Sequence, residues 1–156
     1  MQGSSRVTAA LLRDLPTFTG LSDAQLERIS EIAVIEELPA QQALLRQGGP
    51  AHTLRIVVTG KLSLCIELGG GHERCLVTMT RGEVVGWSAL LDQATWLASV
   101  TAIKPSTVLA IDGATLRGLC EADHELGYHV MRNLFTAVAA RLQDTRLQLL
   151  DMYGHA

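Results

Sequence analysis

Apolar and polar positions change their period along the chain, and each change predicts an element. Residues 7–15 fit a short amphipathic helix closed by Pro16. Ser22 with Gln25 three residues on makes a capping box, and Leu21 is placed to staple onto Leu26. Behind that cap, Leu26, Ile29, Ile32 and Ala33 give a second helix one buried stripe. From Val34 the period drops to two, and residues 34–38 and 43–45 read as strands separated by Pro39. Gln47-Gly48-Gly49-Pro50 is a turn by composition. Thr59-Gly60 reads as a two-residue hairpin turn between strands at 54–58 and 61–68. In the second of these, Leu62, Leu64, Ile66 and Leu68 alternate with Lys61, Ser63, Cys65 and Glu67, the mark of a half-buried strand. Gly69-Gly70-Gly71 reads as a three-residue loop into a strand at 73–79. Val84-Val85 and residues 98–103 and 107–111 complete about eight short strands.

The helical period then returns. Asp112 caps a short helix through Leu116, Leu119 and Cys120, and Asp123 caps another that merges into a long final helix. There Met131, Phe135, Val138, Leu142, Thr145, Leu149 and Met152 recur at four and three residues, a heptad seam of about three repeats. Such a seam is either a subunit interface or a stripe lying on the chain's own sheet. It continues past Leu142, where a compact roll would run out of surface, so a homodimer is expected. The predicted class is mainly β with flanking helices. It is a double-stranded β-helix or jelly-roll over about 34–112, with N-terminal helices and C-terminal helices over about 113–152, in one domain of 156 residues.

Composition sharpens this picture mainly by exclusion. Hydrophobic residues at 47% and charged residues at 19% describe a globular chain. A net charge of −3 with no basic run argues against direct DNA binding. Neither a signal-peptide pattern nor an apolar run long enough for a membrane span is legible, so a cytoplasmic location is expected. Three cysteines, Cys65, Cys75 and Cys120, fit reduced thiols better than a disulfide framework. Cys65 falls opposite Cys75 if Leu68 pairs with His72. The pair is then either redox-active or two small apolar side chains. Histidines 52, 72, 124, 129 and 155 show no metal-ligand spacing, and no catalytic constellation is legible; no metal site and no enzyme are expected.

The stretch Arg81-Gly82-Glu83-Val84-Val85-Gly86-Trp87-Ser88-Ala89-Leu90-Leu91, running on to Ser99-Val100-Thr101-Ala102, carries the candidate chemistry. A strand ends at Gly86 and a helical turn follows, so backbone N–H groups can converge on an anion there. Its spacing resembles the phosphate-binding cassette of the cyclic nucleotide-binding domain family, as found in catabolite activator-type regulators. Phe18-Thr19-Gly20-Leu21-Ser22 is similar to that family's opening helix, and the resemblance covers about residues 11–150. It implies the β-roll, a final helix that pairs two subunits, and a cyclic nucleotide or another small ligand. In those regulators a DNA-binding helix-turn-helix follows the last helix, and 156 residues leave no room for one, so a stand-alone regulatory domain is expected.

Two positions depart from the family pattern. Trp87 stands where the family has its ribose-binding carboxylate, and Trp96 falls at or beside its phosphate-binding arginine. An indole has one donor and no charge. Losing a buried charge-assisted hydrogen bond costs about 1.5–3 kcal/mol, so two such losses should leave cAMP binding weak or absent. The expected ligand-facing set is Val85, Gly86, Trp87, Ser88, Ala89, Leu90, Trp96, Ala98 and Ser99. The two tryptophans either wall a remodelled pocket or simply fill a vacated one. Arg81 is expected to face solvent. The resulting expectation is a sensor that signals through a protein partner. The rivals are a ligand-free dimerisation module and cyclic nucleotide binding through other residues.

Overall fold

The computed structural model of the chain describes residues 6–92 and 94–154. His155 and the first five residues, used above in weighing metal ligands and a signal peptide, lie outside the described residues. Helix α1 (Ala9–Arg13) is capped by the Thr8 hydroxyl, and Pro16–Phe18 form a single 3-10 turn. Helix α2 (Asp23–Ile32) starts at Ser22 with both halves of the capping box formed: Gln25 N–H donates to Ser22 Oγ at 3.3 Å and Ser22 N–H to Gln25 Oε1 at 2.9 Å.

Eight strands follow: β1 (Ala33–Leu38), β2 (Ala43–Leu45), β3 (Thr53–Thr59), β4 (Leu62–Gly69), β5 (His72–Met79), β6 (Val84–Val85), β7 (Ser99–Ala102) and β8 (Ser106–Asp112). They form two antiparallel four-stranded sheets, ordered β1-β8-β3-β6 and β2-β7-β4-β5. The first sheet is buried on both faces. Leu54, Ile56, Val58, Leu109 and Ile111 pack under the helices, while Val57, Val85 and Val108 face the second sheet. This is why β3 and β8 read as apolar runs and not as simple alternation. The second sheet turns Leu45, Leu62, Met79, Val100 and Ala102 inward and leaves its other side to solvent.

Three sequence expectations change here. Thr59-Gly60 is not a hairpin turn, because β3 and β4 belong to different sheets and the chain crosses between layers at this point. Gly60 has φ +95°, and a Cβ there would lie 2.1 Å from Ser106 Oγ, so only glycine lets the crossing pass Ser106. The β4–β5 loop is the two residues Gly70-Gly71, since Gly69 pairs with His72. A bulge beside the turn, between Glu67 and Gly69, restores Cys65 opposite Cys75 and leaves Leu68 in solvent, and a second bulge lies mid-ladder between Leu64 and Cys65. Finally, Cys65 and Cys75 are not free thiols: they are joined by a disulfide of S–S 2.02 Å, with Cys65 buried and Cys75 exposed. Cys120 is the free cysteine, half-buried, and burial first and then the nearby Asp123 and Glu121 raise its thiol pKa.

Helix α3 (Gly113–Ala122) is capped by Asp112, and α4 (His124–Tyr153) by Asp123, as one uninterrupted helix of 30 residues. Asp123 also accepts from Arg28, and from Gln25 Nε2 at 3.2 Å, which binds α2 to the start of α4. With the Leu126 N–H leading, these bonds hold the Asp123 carboxyl at about 2. At 1.5 Å per residue α4 is about 45 Å long, and its buried residues Leu126, Gly127, Val130 and Leu134 all lie in its first half. Beyond them Phe135, Leu142, Leu149 and Met152 are exposed.

Candidate functional site

The site is built where β6 ends. Gly86 takes φ +78°, and Trp87–Leu90 then wind one 3-10 turn whose Ala89 N–H donates to Gly86 O at 3.1 Å. That bond uses one of the N–H groups expected to face an anion. The turn is anchored from behind: Arg117 on α3 donates to Leu90 O at 3.1 Å, and a Cβ on Gly113 would lie 2.1 Å from Ala89 O. Ala89 and Leu90 therefore support the turn and do not line the cavity in front of it.

Trp96 closes that front. Its N–H donates to Gly49 O at 2.8 Å and its carbonyl accepts from Gly48 N–H at 2.8 Å, which fixes the segment against the 47–50 turn. A Cβ added to Gly86 would meet Trp96 Cη2 at 2.7 Å, and one added to Gly49 would meet Cδ1 at 3.4 Å. The indole thus lies between two glycines, against the cassette backbone, and only 8% of Trp96 is exposed. Trp87 is half-buried and packs on the helical side of the first sheet.

Between these rings is a cavity of about 110 Å³. Of the expected residues, Val85, Gly86, Trp87, Ser88, Trp96 and Ala98 line it, together with Leu45, Leu64, Met79, Val84, Leu97 and Val100. Ser99 is not among them, and its hydroxyl accepts from Gln47 N–H at 2.9 Å. Arg81 is also elsewhere, donating to Val58 O at 2.9 Å.

Among the described residues, the one charged side chain lining this cavity is Arg141, which reaches in from α4. Its guanidinium lies 5.3 Å from the Trp87 ring centroid and 3.6 Å from the Glu83 carboxylate, with 15% of the side chain exposed. In sequence Arg81 lies beside the cassette and Arg141 far from it. A signal was present nonetheless. Leu126, Val130, Leu134 and Ala137 mark the core-facing stripe, and Arg141 is its next position, a charge where the helix faces inward.

Ligands for a metal are sparse. Among the described residues Cys65, Glu73 and Cys75 bring sulfur and carboxylate atoms within 4.8 Å, but the two sulfurs are bonded to each other. No described helix is long and apolar enough to cross a membrane.

A two-sheet roll, a left-handed glycine opening a short turn over a pocket, and a long helix returning to that pocket define a regulatory β-roll domain. The chain matches the cyclic nucleotide-binding domain model over residues 35–123, more than half its length, and belongs to that family. Among solved structures, a Geobacter metallireducens GS-15 protein named for cyclic nucleotide binding is 28% identical. It superposes with a TM-score of 0.76, covering 87% of this chain and 98% of the other. The Thermus thermophilus catabolite activator protein is 27% identical with a TM-score of 0.71, over 89% of this chain and 63% of that one. A Rhodopseudomonas palustris protein named as a potassium channel is 23% identical over 151 residues. This match takes in 96% of the chain but 35% of that relative, so the chain spans about a third of its length.

Proposed function

We propose that this chain is a regulatory sensor domain whose cassette no longer takes cAMP in the family's usual way, and whose output passes along α4 to a protein partner. The observation that carries the reading is the Trp96 indole lying against Gly86, where a phosphate would need the cassette backbone. No carboxylate or guanidinium comes from the two cassette positions that the tryptophans occupy. The residues that line the cavity and the six of the cassette set among them make the ligand site of this proposal. We take the roll and its helices as one domain acting in the cytoplasm, without catalytic activity.

Arg141 supplies the route from pocket to output. It touches the Trp87 ring and the Glu83 carboxylate and is the neighbour of Leu142 in the exposed seam. A ligand that moves this guanidinium acts directly on the helix, and it shifts an equilibrium only by its differential affinity for the two states. The seam residues Met131, Phe135, Leu142, Thr145 and Leu149 are exposed, and Val138 is half-buried. A second copy covering them through α4 is the homodimer we propose.

Thermal unfolding with cAMP, cGMP, cyclic dinucleotides and a panel of small metabolites tests the reading. A ligand at 100 times its Kd adds about 2.7 kcal/mol of stability. No shift is expected with any cyclic nucleotide. A clear cAMP shift overturns the cassette reading, and silence with every compound favours a ligand-free dimerisation module.

A further inference from the structure

We infer that the cavity between Trp87 and Trp96 binds a small apolar monocarboxylate, with Arg141 as the group that grips its carboxylate. This rests on reading the cassette as a pocket that has lost its phosphate ligands, and it names what has replaced them.

Size comes first. A cavity of about 110 Å³ is well below the roughly 300–1,000 Å³ of pockets that hold drug-sized ligands. It is closer to the ~150 Å³ that accommodates benzene in an engineered apolar cavity. A body of one ring, or of a short alkyl chain, is therefore the match. Chemistry comes second. Leu45, Met79, Val85 and Val100 present only carbon and sulfur, so the body must be apolar. Among the described residues, Ser88 and Arg141 are the polar side chains on the wall, apart from the two indole N–H groups.

Charge decides the class. Arg141 has five N–H donors in a planar fork that suits a carboxylate. Among the described residues its guanidinium has no acceptor at hydrogen-bonding distance; Glu83 at 3.6 Å is an ion pair without a hydrogen bond. Glu83 already accepts the Thr80 N–H at 2.6 Å, so its carboxylate is held on its own turn. Arg141 is thus mostly buried, oriented by the Trp87 face, and left with donors to offer. A ligand carboxylate at the cavity mouth would take the two parallel bonds that Glu83 does not.

The two tryptophans of the chain flank the cavity, so their indole N–H resonances report on it. Benzoate and hexanoate titrated into the full chain should move both resonances and saturate. Benzamide, the uncharged counterpart of benzoate, should bind at least tenfold more weakly, the loss of one charge-assisted interaction of about 1.4 kcal/mol or more. Arg141→Gln should lose benzoate by a similar factor while keeping the wild-type circular dichroism. Glu83→Gln, which removes the competing anion, should tighten it, and this variant keeps the inference testable if Arg141→Gln misfolds. The inference is overturned if neither acid moves the indoles at millimolar concentration, or if benzamide equals benzoate, or if benzoate binding is indifferent to Glu83→Gln. A cAMP titration in parallel separates the two failures: cAMP binding overturns the cassette reading, whereas silence of both acids without cAMP binding overturns this inference alone.

Discussion

At the scale of single residues, Trp96 has two tasks that differ in strength. It is a member of the core between the sheets, and it is the surface that the cassette glycine touches. Trp96→Ala should leave a void that Gly49 and Gly86 cannot close, because both are backbone with no side chain to relax inward. Truncating a large buried aromatic costs about 3–5 kcal/mol, and urea unfolding should show that loss as a lower midpoint with unchanged slope. A cost under about 0.5 kcal/mol, the range of an exposed position, would mean that the indole swings freely out of the cavity. Trp87 is different: it is only half-buried against the core and has the Arg141 guanidinium 5.3 Å from its ring centroid.

At the scale of elements, α4 has two faces with separate roles. Its first half is tied down by Leu126, Val130 and Leu134 on one side and by the Asp123 clamp at its cap. The Asp123 carboxyl is held at about 2, below its ordinary 3.8, by the Leu126 N–H, Arg28 and Gln25. A depressed carboxylate pKa stabilises the fold fully above the unfolded value and loses that contribution as pH falls from about 4 to about 2. Asp123→Asn keeps an equally good cap but removes the charge. The stability gap between wild type and variant should therefore be present at pH 6 and shrink by pH 2.5, and a gap independent of pH would remove Asp123 from the clamp. From Phe135 onward α4 turns its large apolar residues outward, Phe135 itself being 74% exposed. Sedimentation should give a dimer of the 16.8 kDa chain at tens of micromolar. Phe135→Glu with Leu142→Glu should give a helical, folded monomer. A monomeric wild type would leave the seam without its proposed partner.

For the whole molecule, the sequence carried the order of elements well because local signals agree with the fold. Ser22-Gln25, Asp112 and Asp123 cap where their chemistry predicts. What it hid was long-range. Nothing in Thr59-Gly60 distinguishes a hairpin turn from a crossing between sheets, since the difference lies in Ser106, far along the chain. The expected pairing of Cys65 with Cys75 is present, but the two bulges that flank it in the β4–β5 ladder are invisible in an alternating pattern. The expected cassette set was split in a similar way: Trp87, Ser88, Trp96 and Ala98 reach the cavity, while Ser99 is spent on Gln47 and Ala89 on its own turn. Arg141 matters most: its place one turn beyond Ala137 on the inward stripe is legible in the sequence, whereas its meeting with Trp87 and Glu83 across the chain is not.

For that pocket the decisive experiment is calorimetric titration of cAMP into the wild-type chain. With Trp96 against Gly86 and no carboxylate at residue 87, no saturable heat is expected up to about 1 mM cAMP, a binding free energy weaker than roughly −4 kcal/mol. Saturable heat with a micromolar Kd would show instead that the cassette still holds a cyclic phosphate.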